Sequence, residues 1–176
     1  MIESYYCEKY NRDVFGAFFT FTFPIISDSE VAIRKYLKYS DTKATNAFTT
    51  HFSKGLQSII TNNTADLAIR VAGLHKTGQK GWAKPFIGVA KAFEGFLENN
   101  LEKIEDGIKA VLAKHKKDQR AFVGEYTSLA AVTIAKLAIR KGYEINIDHP
   151  FLPKELLPIK ELDNYEGYDF FKDLVL

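Results

Sequence analysis

The side chains that could carry out chemistry are few, and they lie far apart in the sequence. Four histidines (His51, His75, His115 and His149) are separated by tens of residues, and Cys7 is the only cysteine. No glutamate stands three residues before a histidine, so the Glu-x-x-His pairs of di-iron helical bundles are absent. A single cysteine cannot form a thiolate site. The sequence therefore predicts neither a metal site nor a cofactor.

The segment Gly78-Gln79-Lys80 approaches the spacing of a phosphate-binding loop that would begin at Gly73. Such a loop needs a glycine directly before the lysine, Ser or Thr directly after it, and a preceding strand. Here Gln79 separates glycine from lysine, Gly81 follows the lysine, and the preceding residues have a helical pattern. We therefore predict an ordinary surface loop.

Paired carboxylates could serve as general acid and base, but Glu102 and Glu105 fall on the polar face of a predicted helix, where solvation is the expected role. A catalytic group assembled from distant residues, such as His51, His75 and Glu94, is an alternative that an activity screen or a co-purifying cofactor would reveal. Because no catalytic motif is present, we predict that the protein is not an enzyme.

Length and composition indicate a single globular domain over residues 1–176. Hydrophobic residues make up 46% and charged residues 26% of the chain, which is usual for a soluble domain with a sizeable core. One cysteine cannot form an internal disulfide and favours a reducing compartment. The first residues do not have the pattern of a signal peptide, and no window is apolar enough to span a bilayer. We expect a cytoplasmic protein with no membrane partner.

The charge is unevenly distributed, which points to a protein partner. Residues 145–176 hold seven acids and three lysines, a net charge of −4, so the rest of the chain carries +6 of the total of +2. Acids alternate with aromatic residues in a set that we call the acid–aromatic cluster: Asp163, Tyr165, Glu166, Tyr168 and Asp169. Aromatic side chains bury a large area at low entropic cost, so this cluster is a candidate site for a basic protein partner. Attachment of these rings to the protein's own helices is an equal alternative.

Trp82, in a lysine-rich loop, is a second candidate anchor, although a core position is the more common outcome for tryptophan. A short basic run from Lys114 to Arg120, to which Arg140 and Lys141 could add in space, is predicted to be a solvated turn. The charge excess is small and no recognised binding motif is present, so we expect no nucleic-acid partner.

The pattern of apolar residues predicts an all-α fold of about six or seven helices, a single-domain bundle of antiparallel hairpins. The first helix is expected to end at about Phe19, the second to run from a Ser27/Glu30 capping box to about Ser40, and the third from about Thr42 to Thr61. A fourth helix is expected to begin after Asn63 or Thr64, and two more lie on either side of the turn at Asn99-Asn100. An extended piece is expected before Pro24, and Pro85 suits the first turn of a helix.

The stretch from Tyr126 to Ile139 is apolar almost all round, which predicts a helix at the centre of the bundle. Arg140, Lys141 and Gly142 then provide the signals of a helix C-terminus. Beyond it, Tyr143 to Asp148 alternate between apolar and polar residues, which predicts a short, half-buried strand.

Several of these segments together resemble a known family. The first is the hairpin that begins at Val89-Ala90-Lys91-Ala92-Phe93 and ends at His115, and the second is the helix from Ser128-Leu129 to Gly142. The third is the segment that follows this helix, with the pattern Ile145-x-Ile147-Asp148-x-Pro150-x-Leu152-Pro153-x-x-Leu156-Leu157. Over roughly residues 85 to 160 the chain is similar to the immunity 49 family of bacterial polymorphic-toxin systems.

The resemblance implies a cytoplasmic immunity protein that binds a cognate toxin effector and blocks it by stoichiometric occlusion. Such toxins are delivered by contact-dependent or type VI secretion machinery. The family has no catalytic residues to transfer to this chain. The alternative is an α-helical scaffold or adaptor unrelated to toxins, and the position of the gene beside a large modular toxin gene would separate the two.

Overall fold

A computed structural model describes residue 15 and residues 21–39, 47–115 and 125–160. The α-helices in these ranges are α1 (Thr22–Ile26), α2 (Glu30–Leu37), α3 (Phe48–Thr61), α4 (Thr64–Thr77), α5 (Gly88–Glu98), α6 (Leu101–Lys114) and α7 (Leu129–Arg140). Two short 3-10 helices occupy Gly81–Phe86 and Lys154–Leu156. No strand is present in these ranges, so the prediction of an all-α fold is confirmed.

Asparagines form the boundaries inside both helical hairpins. Asn62 and Asn99 end α3 and α5 in the left-handed conformation, with φ of 57° and 53°, which asparagine tolerates better than most residues. Asn63 and Asn100 then cap α4 and α6, because their side chains accept the backbone N–H groups of Asp66 and Lys103. The two hairpins, α3–α4 and α5–α6, pack against each other through α4 and α5.

Helix α7 lies at the centre of the described structure, as the sequence predicts. It packs against α1, α5 and α6, and every residue from Ala130 to Ala138 is buried. The helix begins at Leu129, whereas Tyr126 lies before it and is 56% exposed. An apolar surface this continuous can be buried only by neighbours on several sides.

The predictions differ from the structure at the start of the chain. Thr22 and Phe23, directly before Pro24, are helical and not extended. Pro24 lies in the first turn of α1, where its missing N–H would have no intrahelical partner. Ser29, and not Ser27, caps α2: its Oγ accepts the N–H of Ala32 at 3.3 Å. Between these serines, Asp28 has a φ of 56° and is 3% exposed.

Two further predictions need correction. Pro85 lies inside the 3-10 helix Gly81–Phe86, and α5 begins only at Gly88. Residues 143–148 show the expected alternation, with Ile147 buried and Glu144 and Asp148 exposed, but they form no strand with the described part of the chain. Alternating burial against the hydrophobic core produces the sequence pattern without a neighbouring strand.

The predicted helix from Thr42 is described only from Phe48, and the expected helix up to Phe19 lies largely outside the described residues.

Candidate partner-binding surface

Trp82 lies at the surface, so the expectation of a core tryptophan is wrong. The backbone leaves α4, reaches an extended conformation at Lys80 and turns at Gly81, where φ is +59°. Glycine suits this position because a side chain would be strained at positive φ. The 3-10 helix that follows presents the Trp82 side chain outward, 58% exposed.

A row of aromatic rings supports Trp82 from beneath. Its ring meets Phe48 edge-on, with 5.8 Å between ring centroids, and meets Phe86 at 6.2 Å. The row continues inward: Phe48 stacks on Phe52 with 6.4 Å between ring centroids, and Phe52 stacks on Phe93 with 5.8 Å between ring centroids. Because Phe52 and Phe93 are completely buried, this row connects the exposed indole to the core and restricts its movement.

The surroundings of Trp82 combine positive charge with apolar area. Lys80 and Lys84 are exposed on either side of it, and Ile87 is 40% exposed. Neither lysine forms an ion pair with any of the residues described. We call Lys80, Trp82, Lys84 and Ile87 the Trp82 surface; its charge is opposite to that of the acid–aromatic cluster.

All five members of the acid–aromatic cluster, Asp163, Tyr165, Glu166, Tyr168 and Asp169, lie outside the described residues. The chain that leads to them is held firmly up to Lys160, whose backbone N–H donates to Asp28 Oδ2 at 2.9 Å. Lys160, the last described residue before the cluster, therefore lies beside the turn between α1 and α2.

A buried ionic group surrounds that point. Lys136, 2% exposed in the middle of α7, donates from Nζ to Asp28 Oδ2 at 2.6 Å and to the carbonyl of Leu156 at 2.9 Å. Arg140, one turn further along α7, contacts Asp28 Oδ1 at 3.1 Å and also pairs with Glu30. This group joins α1 and α2, α7 and residues 156–160.

The alternative catalytic group of His51, His75 and Glu94 is not brought together, because its members lie at two different helix interfaces. His75 Nε2 and Glu94 Oε1 are 2.7 Å apart between α4 and α5, whereas His51 is buried between α3 and α4 against Gly73. Although burial by itself would raise the pKa of Glu94, hydrogen bonds with His75 and Lys103 outweigh it and lower that pKa. This is the arrangement of an interhelical ion pair.

Burial lowers the pKa of His51 below its usual value, and the positive charges of Arg70 and Lys54 lower it further. A neutral imidazole packed against a helix backbone is consistent with a structural role. Over the part of the chain that the structure describes, no group of three or more His, Cys, Asp or Glu residues is placed to bind a metal ion.

Arg140 and Lys141, which the sequence suggested could join the basic run, each have partners of their own in the described structure. Arg140 is engaged by Asp28 and Glu30, and Lys141 Nζ donates to Asn62 Oδ1 at 2.7 Å. Burial lowers the pKa of Lys141. Lys114 ends α6, and the rest of its predicted basic run lies outside the described residues.

Comparison with known proteins decides the family. The sequence profile described as Immunity protein 49 matches residues 20–156. The chain belongs to the Immunity protein 49 family. No curated protein and no solved structure matches it. The match begins well before residue 85, where the sequence resemblance begins, and therefore includes the N-terminal helices; it ends at residue 156.

The region matched by the Immunity protein 49 profile contains Trp82, the buried ionic residues Asp28 and Lys136, and all seven of the helices α1 to α7 that the structure describes. The acid–aromatic cluster lies beyond it. None of the helices in the described ranges combines the length and apolar character needed to cross a membrane.

Sequence reasoning missed the buried ionic group, although one signal for it was available. Lys136 is the single charged residue between Leu129 and Ile139, and a lysine in the middle of an otherwise buried helix requires an acidic partner. The identity of that partner could not be inferred, because Asp28 lies 108 residues away in the chain.

Proposed function

We propose that this protein neutralises a cognate bacterial toxin effector in the cytoplasm by binding it stoichiometrically and covering its active site. The observation that carries the proposal is the Immunity protein 49 match over residues 20–156. The bundle supports it, because packed helices present a preformed surface and little conformational entropy is lost on binding. The effector would be one delivered by type VI or contact-dependent secretion.

Two regions are proposed to contact the toxin. Trp82 acts as an anchor, because an exposed tryptophan held by buried rings buries area at low entropic cost. The acid–aromatic cluster attracts a basic active-site cleft and speeds association. Since the two regions differ in charge, they would contact different parts of the toxin.

The proposal is tested by co-expressing the protein with the toxin domain encoded beside it. We expect the two proteins to co-purify at a fixed ratio, the toxin to lose its activity in that complex, and cells producing both to grow. A toxin that stays active and unbound at saturating concentrations of this protein would refute the proposal and favour the scaffold alternative.

Replacing Asp163, Glu166 and Asp169 together by lysine reverses the charge of the acid–aromatic cluster. We expect toxin binding to weaken by at least about tenfold, mainly through slower association, while the thermal unfolding midpoint stays nearly unchanged. The corresponding Asp→Asn and Glu→Gln variant should show a smaller loss, because it removes attraction without adding repulsion. Surface plasmon resonance measures both rates, and unaltered affinity in the lysine variant would place the interface elsewhere.

Trp82→Ala tests the second region. A central aromatic anchor contributes about 2 kcal/mol or more to binding, so we expect the dissociation constant to rise by roughly thirtyfold. Ile69→Ala is the matched control, since Ile69 is 60% exposed on α4 and its truncation should change affinity little. Equal effects of the two substitutions would exclude a special role for Trp82.

A further inference from the structure

Residues 143–158 form a hairpin whose two arms separate. The chain turns back from Gly142 along α7, and the carbonyl of Phe151 accepts the N–H of Ser128 at the start of that helix at 2.8 Å. An isolated antiparallel bridge joins His149 and Leu152, and the N–H of Leu152 donates to the carbonyl of His149 at 2.9 Å. We call residues 143–148 the first arm, residues 153–158 the second arm, and the whole the open hairpin.

The second arm then returns along α7, where Lys136 Nζ holds the carbonyls of Leu156 and Pro158 at 2.9 and 3.3 Å. A groove lies between the arms, with Ile139, Leu157 and Pro158 among its lining residues. Beyond the bridge at its closed end, the described residues contain no backbone hydrogen bond between the two arms.

The backbone groups of Ile145 and Ile147 have no hydrogen-bond partner among the described residues. In an extended segment, the backbone groups of successive residues point alternately to opposite edges. The N–H of Asn146 points to α6, where it donates to Glu105 Oε1 at 2.9 Å, and the carbonyl of His149 points to the second arm. Both observations place the backbone groups of Ile145 and Ile147 on the groove side, where they bond to none of the described residues.

Burial alternates along the first arm, where Ile145 is half-buried. Ile147 is buried at 6% exposure, while Glu144 and Asp148 are exposed at the rim. Asp148 pairs with Lys154 across the groove at 3.3 Å, and Glu144 forms no ion pair with the described residues. Among the described residues, the rim therefore carries one negative charge without an ion-pair partner, beside a backbone edge without hydrogen bonds and an apolar floor.

We infer that the open hairpin binds an extended segment of the toxin, which pairs with the backbone of Ile145 and Ile147 and places a lysine or arginine beside Glu144. Addition of a strand to an open edge is a common way of recognising extended peptides. In this arrangement apolar side chains of the added segment face Ile139 and Leu157. The inference rests on the proposed function, and it adds a third contact region to Trp82 and the acid–aromatic cluster.

Hydrogen exchange of single amides, followed by NMR, tests the pairing. In the dilute free protein we expect fast exchange of the Ile145 and Ile147 amides, and in the complex with the toxin domain we expect exchange slowed by at least about tenfold. The Asn146 amide is the internal control, because its bond to Glu105 should be the same in both states.

Each other outcome overturns the inference. A complex in which both amides keep their free rates would leave the proposed function intact and remove only the strand pairing. Slow exchange already in the dilute free protein would show that another part of this chain occupies the groove, and slowing that grows with protein concentration alone would show that a second copy does. Absence of any complex would refute both the inference and the proposed function.

Glu144→Lys tests the charge of the added segment. We expect about tenfold weaker toxin binding, because repulsion replaces attraction at the rim. Glu125→Lys makes the same change at an exposed position away from the groove and should alter affinity by less than about twofold. Equal dissociation constants for the two variants would refute a basic residue beside Glu144.

Discussion

At the scale of single residues, Lys136 shows how strongly one side chain can connect this fold. Its ammonium group is shielded from water but has three oxygen partners, from Asp28, Leu156 and Pro158. Removing one member of a buried ion pair leaves the other charged and without compensation, and this costs far more than the loss of an exposed pair. The chain contains an example of each kind.

Lys136→Met should therefore lower the free energy of unfolding by about 3 kcal/mol. Lys91→Met is the control, because Lys91 and Asp106 are 2.7 Å apart but 45% and 42% exposed, so its loss should lower the free energy of unfolding far less. Urea unfolding followed by circular dichroism measures both. Similar losses for the two variants would mean that the buried pair contributes no more than a surface pair.

At the scale of elements, the α5–α6 hairpin depends on glycine at its points of closest approach. A Cβ atom built on Gly107 would lie 2.4 Å from the backbone nitrogen of Ala92, and one built on Gly88 would lie 2.4 Å from the Gly107 carbonyl oxygen. Backbone atoms cannot move aside as side chains can, so these glycines allow the two helices to pack closely.

Gly107→Ala should destabilise the protein by about 2 kcal/mol, because the added methyl group forces the helices apart. This loss is expected although alanine favours a helix by about 1 kcal/mol over glycine. Ala113→Gly, at an exposed position of the same helix, should cost about 1 kcal/mol through helix propensity alone. A Gly107→Ala variant more stable than the parent in urea would contradict the close approach.

The hairpin also shows what sequence can and cannot predict. Asn99 and Asn100 mark the turn, because an end in the left-handed conformation and a side-chain cap are local effects of those residues. The role of Gly107 depends on Ala92 in another helix, and periodicity contains no information about that distance. Likewise, Tyr143 to Asp148 alternate correctly, but the sequence does not show whether a second strand is present to pair with them.

At the scale of the whole molecule, the buried surface of α7 could be predicted, because its apolar residues leave no polar face of any size. The location of Trp82 could not be predicted, since a tryptophan beside glycines and lysines fits both a loop that packs inward and one that projects. The aromatic row beneath it arises from contacts among α3, α5 and the 3-10 helix, which are distant in sequence.

Ala135→Asp should unfold the domain, because Ala135 is completely buried in α7. The free energy needed to bury an unpaired carboxylate there exceeds the usual free energy of unfolding of such a domain. Ala113→Asp places the same charge on an exposed face of α6 and should remain folded. One-dimensional NMR distinguishes dispersed from collapsed amide signals. A dispersed spectrum for the Ala135 variant would argue against a central α7.

The long separation between Asp28 and Lys136 also has a consequence for biosynthesis. While the ribosome is making the first hundred residues, the carboxylate of Asp28 lacks its native ammonium partner, because Lys136 is encoded 108 positions later. The ion pairs that join the α1–α2 corner to α7 can therefore form only after α7 has left the exit tunnel. A nascent chain stalled before that point keeps an unmatched acid at its N-terminal corner, which should make it a better target for chaperones and proteases than the completed protein.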